Sequence, residues 1–211
     1  MSKRILATLL LAAAASIAPH ALANETARAL FERAQGDAEL RTQLTEAGKA
    51  AAFFCANCHG EQGISKLGDV PNLAGQHPAY LLEQISAFLS GRRKNDFMQG
   101  LMKVLSEEDK VAIAYHYAAA DAVPTLPEPG PRAAEGKQLY EKFCSRCHLD
   151  DASGAATFPR LAGQQPEYMR LSLKRYFDMS GERLYPPMTG AVRQLGEDNI
   201  QAVVDYLSAK R

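Results

Sequence analysis

Every cysteine in this chain belongs to one of two copies of a single pattern, Cys55-Ala56-Asn57-Cys58-His59 and Cys144-Ser145-Arg146-Cys147-His148. Two thiols three positions apart can each form a thioether to one edge of a porphyrin, and the histidine that follows is carried onto one face of the iron. This is the spacing of covalent c-type haem attachment, so the sequence predicts two covalently bound haem c groups. Whatever fold the chain adopts has to enclose both.

Other cysteine chemistries fit less well. A thioredoxin-like redox pair needs a strand-to-helix setting, and the flanks here are Ala-rich and helical in pattern. A four-cysteine zinc site wants its two pairs much closer together. Two disulfides suit an exported protein but give His59 and His148 no role.

The N-terminus reads as a signal peptide over residues 1–23. Lys3 and Arg4 precede an apolar run from Ile5 to about Ala15, and Ala21-Leu22-Ala23 supplies small residues for cleavage. The run is short for a bilayer crossing and lacks flanking aromatics. The mature chain, from about Asn24, is expected in a periplasm, with no membrane span. Taking Lys3 and Arg4 from the 24 basic residues, against 24 acidic ones, leaves a net charge of −2. No basic face for nucleic acid is visible.

Pro124, Pro127, Pro129 and Pro131 forbid a continuous helix and mark a linker over residues 124–131. It separates a first domain, residues 24–123, from a second, residues 132–211. Each has roughly 90 to 100 residues or fewer, a size often stabilised by a cofactor that adds core volume.

The halves are one design used twice. Gly48-Lys49 answers Gly136-Lys137, and Pro71-Asn72-Leu73-Ala74-Gly75-Gln76 answers Pro159-Arg160-Leu161-Ala162-Gly163-Gln164. Pro78 and Tyr80 answer Pro166 and Tyr168. Ser90-Gly91-Arg92-Arg93 answers Ser180-Gly181-Glu182-Arg183, and Met98 and Met188 each stand five residues further on.

That register bears on the sixth iron ligand, for which methionine is the common partner of histidine in electron-transfer haems. The candidates are Met98, Met102, Met169, Met179 and Met188, and only Met98 and Met188 coincide under the repeat. Each is expected in a loop eight residues before a helix start, at Ser106 and Gly196. Met102, one turn from Met98, competes in the first half, although its counterpart in the second half is Val192, which cannot ligate. His77 aligns with Gln165 and His116 lies in an apolar-striped helix, so both read as loop or core histidines; a bis-histidine haem through His77 is the less favoured alternative.

The coarse pattern is helix and loop. An extra amphipathic helix is expected over residues 24–44, with Gly36 as a weak point. Further helices are expected at 48–58, 78–89, 106–120, 132–147, 166–179 and 196–210. Pro78 and Pro166 sit at first helical turns, and Ser106 with Asp109 forms a capping box. Ile200, Val203, Val204 and Leu207 make one apolar stripe.

With both motifs, both methionine segments and the paired Leu-Ala-Gly-Gln stretches in view, the chain from about Gly48 to Arg211 resembles the cytochrome c4 family. The resemblance implies an all-α fold of two tandem class I cytochrome c domains related by a pseudo-twofold axis, with haem propionates near the interface. It implies covalent haem at Cys55 and Cys58 with His59 and Met98 on one iron, and at Cys144 and Cys147 with His148 and Met188 on the other. Arg93 and Arg183 are candidate propionate contacts, the alternative being solvated loop arginines.

Two six-coordinate irons offer no position for a substrate, so no catalytic residue is assigned and outer-sphere electron transfer is expected. The expected partners are redox proteins: a respiratory donor, a terminal oxidase or other reductase, or a membrane complex met transiently at its surface. Two alternatives stay open: an electron-accepting subunit of a dehydrogenase, such as a flavocytochrome sulfide dehydrogenase, and a haem enzyme with one exchangeable ligand, for which no acid–base cluster is evident.

Overall fold

The computed structural model describes residues 26–121 and 126–210. The signal segment and residues 122–125 lie outside this range. The first half contains helices α1 (Ala27–Gly36), α2 (Ala38–Ala51), α3 (Phe53–His59), α4 (Pro78–Leu89), α5 (Asp96–Val104) and α6 (Glu107–Ala118). The second contains α7 (Ala133–Phe143), α8 (Ser145–His148), α9 (Pro166–Asp178), α10 (Pro186–Leu195) and α11 (Ile200–Ser208). Among the described residues there is no strand, only isolated bridges at Arg93–Arg183 and Ala155–Phe158. No described helix is long and apolar enough to cross a membrane.

Local chemistry sets the helix ends, and in places it departs from the sequence expectation. The single helix expected over 24–44 is two helices. Asp37 leaves helical geometry, and its carboxylate accepts from the Leu40 amide at 3.0 Å, so it caps a new helix. Arg41 donates back to the carbonyls of Ala34 and Gln35, closing the end of α1. The second helix then runs past 44 to Ala51, placing Gly48 in its interior, and the chain turns at Ala52 before the haem motif. The helix expected over 132–147 likewise breaks at Cys144, into α7 and α8.

The capping box forms as expected. Ser106 Oγ accepts from the Asp109 amide at 3.0 Å, and the Asp109 carboxylate accepts from the Ser106 amide at 3.2 Å. Gly196 stands at the corresponding place in the second half but has no side chain to cap with. The chain makes a 3-10 turn over Glu197–Asn199 there, and α11 starts only at Ile200.

Both halves are organised on one helix crossing. An ideal Cβ on Gly48 would stand 2.2 Å from the Ala112 carbonyl oxygen, and one on Gly136 would stand 1.8 Å from that of Ala202. The repeated glycines therefore bring α2 onto α6 and α7 onto α11, backbone against backbone. In the first half α1 adds a further layer: buried Leu30, Phe31 and Ala34 face α6, and the Phe31 ring stacks on Tyr115 at 5.3 Å. Glu107 accepts from the Ala27 amide at 2.8 Å, where the carboxylate also faces the positive end of α1.

The halves are locked by hydrogen bonds that repeat under exchange of the two. Gln76 donates to the Arg160 carbonyl at 3.0 Å and accepts from the Arg160 amide at 2.8 Å. Its counterpart Gln164 donates to the Asn72 carbonyl at 3.0 Å and accepts from the Asn72 amide at 2.8 Å. His77 Nε2 lies 2.9 Å from the Ser153 carbonyl, as the Gln165 amide lies 2.7 Å from that of Ser65. Gln76 and Gln164 are both buried, so each carboxamide replaces water for a backbone unit of the other half.

Two predictions follow the packing. Gly136→Ala, which forces a methyl into the α7–α11 crossing, is expected to cost about 1–3 kcal/mol in denaturant unfolding; Gly190→Ala, with open space around it, should be neutral or mildly stabilising. Gln164→Ala leaves a buried amide and carbonyl of Asn72 unpaired and is expected to destabilise by about 1–3 kcal/mol for each. A double variant with Gln76→Ala should separate the unfolding of the two halves in calorimetry.

Candidate haem sites

The two haem motifs sit on short helices that the preceding turns aim inward. Cys55, Cys58 and His59 lie on α3; Cys144 caps α8, which carries Cys147 and His148. All four cysteines are free and half-buried. Burial pushes the Cys55 thiol up, and burial together with Cys147 pushes Cys144 to about 12. Among the described residues no group of three or more His, Cys, Asp and Glu is placed to hold a metal ion, which leaves the zinc alternative without geometry.

Both histidines are buried and held in one orientation. His59 Nδ1 is 2.9 Å from the Pro71 carbonyl, and His148 Nδ1 is 3.0 Å from the Pro159 carbonyl. A carbonyl only accepts, so each Nδ1 carries the proton and each Nε2 presents its lone pair to a metal. Burial lowers the pKa of both rings, against the opposing effect of the carbonyl bond, and Arg93 lowers His59 further. Both imidazoles are thereby kept neutral, the form that ligates.

The methionines separate by environment. Met98 and Met188 are half-buried in the first turns of α5 and α10, on helices and not in the expected loops. Asn95 accepts from the Met98 amide at 2.9 Å and starts α5, while Pro186 and Pro187 start α10. Met102 is buried with Ile85 and Phe88, and Val192 is buried at the corresponding point of the second half. Met169 is also core, and Met179 is exposed in a left-handed conformation that ends α9. His77 faces Ser153 across the interface, and His116 packs edge-on to Tyr117.

Arg93 and Arg183 meet at the interface as an antiparallel bridge, with Lys94 donating to the Glu182 carbonyl at 2.8 Å and Leu184 to that of Arg92 at 2.7 Å. Arg93 donates to the Tyr168 hydroxyl at 3.1 Å and to Gln84 at 2.9 Å. Arg183 donates to Tyr168 at 3.0 Å, Ser172 at 2.8 Å and Tyr80 at 3.3 Å. Burial raises the Tyr168 phenol, but Arg183 and Arg93 outweigh it and draw it down to about 7. Tyr80 is pushed up to about 12 by burial and by Tyr168. Among the described residues neither arginine forms an ion pair with a carboxylate.

These features suit a haem in each half. Two guanidiniums side by side, Arg183 buried and Arg93 half-buried, make a cationic site between the halves that suits an anionic group. The buried Tyr117 hydroxyl, in the cluster against which Cys55 packs, has no hydrogen-bond partner. Sequence reasoning singled out the cysteines, histidines, methionines and arginines as candidates. It passed over Gln76, Gln164, His77, Gln165, Tyr80 and Tyr168 as interface residues, although their repetition without any chemistry of their own was the available signal.

Comparison with known proteins agrees. The cytochrome c family matches residues 45–116 and 133–210. Cytochrome c4 of Thiocapsa roseopersicina is 34% identical over 178 residues, covering 77% of this chain and 90% of that protein. The thiosulfate dehydrogenase electron acceptor of Thiomonas intermedia is 34% identical over 173 residues, covering 75% of this chain and 79% of that protein. The crystal structure of reduced recombinant cytochrome c4 from Pseudomonas stutzeri superposes with a TM-score of 0.71 at 27% identity, covering 79% of this chain and 98% of the other. Two matched cytochrome c units, each with its own Cys-x-x-Cys-His helix and a carbonyl-anchored histidine, place this chain in the cytochrome c4 family, as a protein of electron transport that carries two covalently bound haem c groups.

Proposed function

We propose that the chain is an exported, periplasmic carrier that takes up and delivers two electrons by outer-sphere transfer, without catalysing a reaction of its own. When bound, each haem supplies a one-electron ferric/ferrous couple. The protein's part is to hold both irons six-coordinate and to change little on reduction. Cys55 and Cys58 bind the first haem, with His59 and Met98 on its iron; Cys144 and Cys147 bind the second, with His148 and Met188. The observation that carries this reading is the repetition of one arrangement, a neutral histidine fixed through Nδ1 and a methionine on the first turn of a helix. The burial of Met102 and Val192 at one core position supports Met98 over Met102. A thioether favours ferrous iron and raises the potential.

Arg93 and Arg183 hold the propionates of both haems and, as positive charges, favour the reduced state. The partners in this reading are redox proteins on either side of a respiratory chain, a terminal oxidase among them. A second reading, an electron acceptor serving one dehydrogenase, is favoured by the names of the relatives from Thiomonas intermedia and Stutzerimonas stutzeri.

A redox titration followed by absorption tests the carrier reading. Two high-potential haems, each with the near-infrared methionine-to-iron band and each inert to carbon monoxide and peroxide, are expected; a ligand-reactive haem would indicate a catalytic iron. Met98→Leu should remove that band from one haem, and Met102→Leu should keep both bands while costing less than about 1.5 kcal/mol of stability. Arg183→Ala and Arg93→Ala should each lower a midpoint potential, and unchanged potentials in both would remove the arginines from the propionate role. Co-purification at a defined ratio with a dehydrogenase, in place of elution at the chain's own mass, would select the second reading.

A further inference from the structure

Tyr117 is among the largest fully buried side chains, 1% exposed, and among the described residues its hydroxyl is the one buried side-chain polar atom without a hydrogen-bond partner. Its position is fixed on several sides. The Tyr117 carbonyl accepts from the Gly75 amide at 3.0 Å, the ring stands edge-on to His116 at 5.1 Å, and a Cβ on Gly63 would fall 2.9 Å from Tyr117 Cδ1. The ring belongs to a cluster with Ala52, Leu81, Ile113 and Ala114, against which Cys55 and Leu73 pack.

The second half shows what the fold requires at this place. The register that sets Ala112 against Ala202, and His116 against Tyr206, sets Tyr117 against Leu207. Leu207 is 2% exposed in the cluster against which Cys144 packs. An apolar side chain therefore serves the packing. A buried phenol with nothing to bond costs on the order of 1–3 kcal/mol, so the hydroxyl needs an acceptor that the described residues do not provide.

We propose that the Tyr117 hydroxyl donates a hydrogen bond to the haem group attached at Cys55, a potential-setting contact that the haem attached at Cys144 lacks. The inference rests on the assignment of Cys55, Cys58, His59 and Met98 to the first haem. Cys55 packs against the cluster that holds Tyr117, so the acceptors would be the thioether sulfur formed on Cys55 and the macrocycle itself, both weak but free of competition from water. A donor directs the positive end of its dipole at the group, which stabilises the added electron. The first haem is thereby held at a higher potential than an apolar residue at position 117 would give, and the two halves, alike in their ligands, become unequal. Tyr117 would touch the haem directly without ligating iron.

The test is Tyr117→Phe in the full-length dihaem protein, which removes one oxygen and keeps the ring. The two haems are followed separately through the NMR methyl resonances of Met98 and Met188, and folding stability is measured alongside. The expected result is a shift of the first haem's reduction equilibrium toward the oxidised form by roughly three- to tenfold, the net worth of one hydrogen bond, with the second haem unmoved and stability not increased. A more stable variant with both potentials unchanged would mean an orphaned hydroxyl and would overturn the proposal, as would an equal shift of both haems. Leu207→Met, at the same place in the second half, should leave the first haem unchanged. If the parent protein shows no Met98 methyl resonance on a haem, the ligand assignment fails and not the role of Tyr117.

Discussion

The carboxamides of Gln76 and Gln164 each satisfy both backbone groups of one residue in the opposite half, and much of the structure hangs on that exchange. The segments that carry them also supply the carbonyls of Pro71 and Pro159 that orient His59 and His148. One six-residue stretch thus fixes the iron-facing imidazole at its start and grips the neighbouring half at its end. Only four residues separate the two contacts in each half, and two of them, Ala74-Gly75 and Ala162-Gly163, form a turn. This double duty explains why the stretch recurs with its proline, its Leu-Ala-Gly core and its glutamine, while the residue between proline and leucine differs.

The electrostatics follow from the same geometry. The bridge between Arg93 and Arg183 brings like charges together at a seam where Arg183 is buried and Arg93 half-buried. Tyr80, Gln84 and Ser172 orient the guanidiniums, and Tyr168, bonded to both, is drawn by them toward its anionic form. Such a pair is costly to bury without an anionic partner, so an anion bound at this seam would stabilise the contact between the halves.

Helix existence was legible in the sequence wherever an end signal agreed with an apolar stripe. Pro78 opens α4 and Ser106 caps α6 at the expected places. The break at Asp37 was missed because the apolar stripe runs through it, and only the aspartate's own capping bond reveals the new start. The methionine segments read as loops because Asn95 and Pro186-Pro187 signal a turn as readily as a helix start, and packing decided between them. The candidate cysteines and histidines stand out through spacing alone, since the haem motif is local, and the methionines and arginines through the repeat. The interface was not, because a carboxamide bound to a distant backbone has no periodicity and no composition to betray it. Only the repeat held that information, in polar residues recurring without an evident task.

The reciprocal tyrosine and arginine contacts mean that neither half owns its own electrostatic surroundings. Arg93 of the first half rests on Tyr168 of the second, and Arg183 of the second reaches Tyr80 of the first. A half excised at the linker would keep its cysteines, histidine and methionine, yet its arginine would face solvent in place of a shared low-dielectric seam. Electrochemistry on single halves would therefore describe two proteins that do not exist in the intact chain, and their properties would not sum to it.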